Sequence, residues 1–360
     1  MGLINGAFLL VPQNIANLPY WGWLGAILDF LNSGIGNAAW TMVIFTLMLK
    51  LITFPLDFFS RYKMKKNSVI MEDMKPQLEK LEKQCKGDKQ LYNQRMMPLL
   101  KKEGYSLGGA CLPTLLTLVL FIFIFQGLNS YATFRNADTY NQLVTEYSTM
   151  VNEEGLDPDQ DKETIDQNLI TKYNQLNPSW YWIKNPWRPD VNYTDGFLKI
   201  AAGVNPIASY DEFTHSNKKS NYGVGAITIE TDGDYNAAKD DYDTIMGAIS
   251  DDKGTGNGFY ILIVLAVAVS FLSQFIMQKT QNANPQAAAG GMGAGTMKFM
   301  LILFPLMLGF FAFSYSSVFT LYIITNSTIS LFSTLVINYV VEIKIKKMKE
   351  RKLAEIKYRR

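Results

Sequence analysis

Charged residues are missing from four long stretches of this chain: residues 30–49, 104–134, 254–278 and 299–341. A bilayer core of ~30 Å needs about 20 apolar helical residues to cross it, so each stretch predicts at least one spanning helix. The first holds Asn32, Ser33, Gly34, Gly36 and Asn37 at its start, which moves its helix to residues 38–56 and brings Lys50 inside. The second predicts a span over 108–134, with Pro113 where a first helical turn tolerates it. The third predicts a span over 258–278. The fourth, 298–341, is too long for one crossing and divides at Ser314-Tyr315-Ser316-Ser317 into two helices joined by a tight turn. The sum is five spans.

The intervening segments have their own periodicities. Residues 57–107 read as a helical hairpin: Met71, Met74, Leu78 and Leu81 recur at helical spacing, Gly87-Asp88 makes the turn, and Leu91, Met96, Leu99 and Leu100 form the second arm. Residues 279–297 are a Gly/Ala-rich linker. Residues 135–257 are the least legible. Tyr222 opens a run to Thr231 that alternates like a strand, and the whole reads as a small α+β or partly ordered segment. Residues 1–37 carry no basic n-region of the kind a secretory signal has. Leu18 to Leu31, with Trp21 and Trp23, reads as an interfacial amphipathic helix. The alternative is an extra span.

Composition alone misleads: 48% of residues are apolar, 34 Lys+Arg stand against 32 Asp+Glu, and mean hydropathy is +0.01, which suits a soluble protein. The distribution excludes a purely soluble enzyme. It also sets an orientation, because basic residues favour the cytoplasmic side. The hairpin, the linker and the basic tail 342–360 all fall on one side of a five-span chain, and the acidic segment 135–257 falls on the other. The expectation is a multi-pass protein of the bacterial cytoplasmic membrane, N-terminus outside and C-terminus inside. The tail suits anionic lipid, each Lys or Arg near such a leaflet contributing about 1 kcal/mol, or ribosomal RNA. Cys85 and Cys111 make no disulfide framework, and lone His215 makes no usual zinc site.

Lys50 needs a reason to lie inside a span, where an ionisable group costs several kcal/mol unless it reaches water or a partner. Snorkelling towards the near end is one reading. A water-filled cavity is the other, with Thr46 one turn earlier extending a polar stripe. The expected spans contain no Asp or Glu, which leaves Lys50 without a carboxylate inside them. Gln126, Gln274, Tyr322 and Asn326 are further polar residues placed to line one cleft. A cation there would attract an acidic group from outside the protein.

Five motifs, in order, now carry a resemblance. They are Lys50-Leu-Ile-Thr-Phe-Pro-Leu56, Met74-Lys-Pro-Gln-Leu78, Asp88-Lys-Gln-Leu-Tyr-Asn-Gln-Arg-Met-Met97, Leu107-Gly-Gly-Ala-Cys-Leu-Pro113 and Ser316-Ser-Val-Phe-Thr-Leu-Tyr-Ile-Ile-Thr-Asn326. Together they resemble the YidC family of membrane protein insertases and its mitochondrial and chloroplast relatives. The family's groove arginine is Lys50 here, which keeps the charge but loses the planar fork. An alanine is inserted in the Gly-Gly-Cys motif, Ser316-Ser317 replaces a Pro-Ser pair, and the segment 135–257 is long for the family. The resemblance implies an all-α polytopic fold, five transmembrane helices around a hydrophilic groove open to cytoplasm and lipid. It implies an insertase or chaperone for nascent membrane proteins, with the ribosome and Sec translocon as further partners. No enzyme and no cofactor is implied, and no nucleotide loop is present. The rival readings are a specialised paralogue or membrane scaffold whose outer segment binds a partner, and a small-solute transporter, which usually shows an internal repeat.

Overall fold

A computed structural model of the chain describes residues 22–85, 88–105, 107–192, 206–207, 209–210, 232–280 and 294–358. His215 and the expected strand 222–231 lie outside the described residues, as do residues 1–21. The described elements are helices: α1 Gly22–Ile35, α2 Ala38–Gln84, α3 Lys89–Lys102, α4 Leu107–Asn152, α5 Lys162–Leu176, α6 Asp232–Lys253, α7 Ile261–Thr280, α8 Ala294–Ser314 and α9 Ser317–Tyr358. Among the described residues the only strand-like feature is one isolated bridge, Trp180 to Ile183. Where it is described, the segment expected to be α+β consists of helices joined by irregular loops. Its amphipathic periods are three and four rather than two.

The chain divides into two compact units, Met1–Thr46, Phe123–Ala266 and Leu308–Ile324 in the first, and Leu47–Ile122, Val267–Met307 and Thr325–Arg360 in the second. The core of the first unit is a three-helix packing. Tyr140, Leu143, Val144, Tyr147 and Met150 on α4 recur at helical spacing, as do Ile165, Leu169 and Tyr173 on α5 and Tyr242, Ile245, Met246 and Ile249 on α6. These three stripes bury one another. On α1, Asp29 accepts a 2.5 Å hydrogen bond from the Tyr131 hydroxyl of α4.

Beside that core sits a knot of polar groups. Asn257 is fully buried, and its amide donates to the carbonyls of Asn185, Arg188 and Pro189 while its oxygen accepts from the Asn185 N–H. Asp190, also fully buried, accepts from the N–H groups of Phe259 and Leu262 at the start of α7, at 2.7 and 2.6 Å. The Ser317 N–H and hydroxyl both donate to the Arg188 carbonyl at the start of α9, and the Val318 N–H donates to Pro186. One loop, residues 185–191, thus satisfies donors that two helix N-termini leave open, and its carboxylate meets the positive end of α7.

In the second unit α2 and α3 form the expected hairpin around Met74, Leu78, Met96, Leu100 and Tyr105. Asp88 caps α3, accepting from the Gln90 and Leu91 N–H groups, and Gly104 stops it at a φ of 86°. The hairpin's first arm is no separate helix. α2 runs unbroken from Ala38 through Pro55 and Pro76 to Gln84. The lower part of α9 packs on α2 through Ile337 and Val341 against Phe58, Tyr62 and Val69.

Candidate functional site

Of the six residues singled out in the sequence, Thr46, Gln126 and Tyr322 lie in the first unit and Lys50, Gln274 and Asn326 in the second. Thr46 is fully buried and its hydroxyl donates to the Met42 carbonyl at 2.7 Å. Gln126 is exposed on α4. Tyr322 is buried, with the Phe319 ring stacked beside it at 6.2 Å. Gln274 on α7 and Asn326 on α9 are half-buried. One turn before Gln274, and immediately after Asn326, the hydroxyls of Ser270 and Ser327 share a 3.1 Å hydrogen bond that ties α7 to α9.

Lys50 is not the lone cation that the sequence suggests. Its Nζ lies 3.3 Å from Oδ2 of Asp57, with the two side chains 16% and 14% exposed. Seven residues are about 10 Å along a helix axis. Helical side chains lean towards the N-terminus, so Asp57 leans back towards Lys50 and the lysine stem extends the other way to meet it. A search at three- and four-residue spacing misses this pair because the four-carbon stem closes it.

The pair opens a polar seam. Asp57, Arg61 and Lys65 follow at four-residue spacing on α2, one above another on a single face. Asn326, Ser330, Thr334, Asn338 and Glu342 do the same on α9. Arg61, one turn beyond Asp57, is half-buried, and its Nη1 donates to the Thr334 hydroxyl. Thr334 donates in turn to the Ser330 carbonyl at 2.6 Å, and Lys65 pairs with Glu342 at 3.2 Å. Asn338 Nδ2 is buried with no hydrogen-bond partner. Around Lys50 the remaining face of α2 is apolar and open: Leu51 and Ile52 are each 75% exposed, and Leu47, Met48 and Phe54 are exposed as well. Sequence reasoning passes over Asp57, Arg61, Thr334 and Asn338. The four-residue ladders were their signal.

This combination, all-helical with charges held in a protein-lined seam and apolar side chains turned outward, defines a helical membrane protein. α2 and residues Ser317–Lys344 of α9 are long and apolar enough to cross a bilayer, and Ile261–Met277 and Ile302–Ser314 are shorter apolar helices. Residues 30–346 match the family described as 60Kd inner membrane protein, and the chain belongs to that family. Three curated relatives, each named membrane protein insertase YidC, are similar to it. That of Campylobacter jejuni is 36% identical over 115 residues, 30% of this chain and 21% of the relative. That of Roseobacter denitrificans is 35% identical over 113 residues, 29% and 18% of the two chains. That of a Jannaschia species is 31% identical over 159 residues, 41% and 25%. The chain thus spans about a fifth to a quarter of the length of these relatives. No solved structure matches it.

Proposed function

We propose that this protein is a membrane protein insertase of the bacterial inner membrane, guiding apolar segments of newly made proteins from cytoplasm to bilayer. The observation that carries the reading is Lys50: a shielded cation beside the exposed apolar side chains of Leu47, Met48, Leu51, Ile52 and Phe54, in a chain whose relatives are named insertases. Five helices cross the membrane, those at 38–56, 108–134, 258–278 and the pair within 298–341, with the N-terminus outside and the C-terminus inside. The hairpin, linker and basic tail face the cytoplasm, where the ribosome, the Sec translocon and anionic lipid are their partners.

The mechanism needs no bond to form or break. The client's acidic, hydrophilic tail is drawn to Lys50 in a groove of the second unit to which Gln274 and Asn326 contribute polar groups. Its apolar segment then passes into lipid. Burial in hydrocarbon drives the step, helped by membrane potential on the acidic tail at ~2.3 kcal/mol per charge per 100 mV. The Ser270–Ser327 bond and the Arg61–Thr334 contact support the idea that polar groups here are held by protein rather than left in lipid. Photo-crosslinking tests it. A crosslinker at position 50 or 326 should capture a ribosome-bound client's apolar segment, and one at exposed Tyr181 should not. A small-solute transporter would give no adduct at either groove position.

A further inference from the structure

Any client carboxylate that reaches Lys50 meets a cation already paired. We propose that Asp57 is a built-in competitor for the client's acidic group, so that engagement is an exchange of carboxylates on the Lys50 ammonium rather than capture by an open charge. The proposal rests on the insertase reading and adds a residue that sets client specificity.

Three observations carry it. The pair is close but shielded, 3.3 Å with both side chains at least four-fifths covered, so Asp57 occupies the position an incoming acid needs. The pair is also reversible by construction. It joins two turns of one helix through an extended lysine stem, and holding that rotamer-rich side chain in one conformation carries an entropic cost that opposes the contact. Finally, Asp57 is not stranded when it lets go. Arg61 stands one turn further along the same face, at the four-residue spacing from which a displaced Asp57 carboxylate can reach it. Without Arg61, exchange would leave a shielded unpaired charge, which is strongly unfavourable. A client tail with one acidic group therefore works against Asp57, and a tail with two or more outcompetes it. The device sets a threshold of client acidity.

The test is insertion of a single-span client into proteoliposomes that hold the full chain. The client's translocated tail carries either one acidic residue or an Asn in its place. Asp57→Asn should speed the one-acid client about fivefold, the factor for removing about 1 kcal/mol of competition, and raise the ratio of one-acid to neutral-tail insertion accordingly. In a Lys50→Leu background the same substitution should give no gain, which separates competition for Lys50 from a general change in groove charge. If wild type inserts the one-acid client and Asp57→Asn is no faster, or the gain persists without Lys50, the proposal is overturned alone. If wild type inserts neither client, the insertase reading falls and the proposal with it. Should Asp57→Asn fail to accumulate, Asp57→Ser removes the same charge with a smaller side chain. Failure of both overturns the proposal, because a residue needed for folding is not a dispensable competitor.

Discussion

At the scale of single residues, charge inside an apolar run is the most legible signal in this chain. Lys50 stands out from composition-blind reading of the sequence because nothing else in residues 30–56 except Lys50 is charged. Its partner does not stand out, since Asp57 falls just past the apolar run and seven residues away. The acidic segment shows the reverse: Asp241 looks like one acid among many in 135–257, yet it is buried. Burial raises its carboxyl above the usual range, and neighbouring Asp240 adds to the shift. A raised folded pKa means the folded protein holds this proton more tightly than the unfolded chain. The penalty is fully present above the folded pKa and disappears as pH falls towards the unfolded value. Asp241→Asn should therefore raise the melting temperature of the detergent-solubilised protein by a few degrees at pH 7. Below the ordinary carboxylate range the difference should vanish, as a pH series of thermal scans would read.

At the scale of elements, the hairpin and the break between Ser314 and Ser317 were readable because caps and periodicity are local. The helix boundaries expected at 56, 134 and 341 were not where helices end: α2, α4 and α9 run on to Gln84, Asn152 and Tyr358. The fall in hydrophobicity marks where the solvent changes, and backbone hydrogen bonding continues through it. The loop 185–191 was unreadable for another reason. Its work is done by carbonyls and by Asp190, whose partners lie some 70 positions away in sequence. Gly258 is the sharpest probe of that knot. A Cβ there would lie 1.8 Å from Asp190 Oδ1, so the carboxylate that caps α7 would have to leave. Gly258→Ala should destabilise the first unit by about 2–4 kcal/mol. Hydrogen exchange would show it at the N-terminal amides of α7 and α9, while the hairpin around Leu100 stays protected.

At the scale of the whole molecule, family membership rests on residues 30–346, and the insertase reading rests on one cation set among apolar surfaces. The resemblance in five ordered motifs made that much legible from sequence. What it did not convey is that the cation is partnered, which turns attraction into exchange. The central claim is that positive charge at position 50 drives insertion. Its most direct test is complementation of an insertase-depleted bacterium by wild type, Lys50→Arg and Lys50→Leu at equal expression, reading insertion of a short client with an acidic N-terminal tail. Wild type and Lys50→Arg should restore insertion, and Lys50→Leu should fall about tenfold, the factor for losing ~1.4 kcal/mol of favourable charge interaction. Full activity of Lys50→Leu would contradict the account.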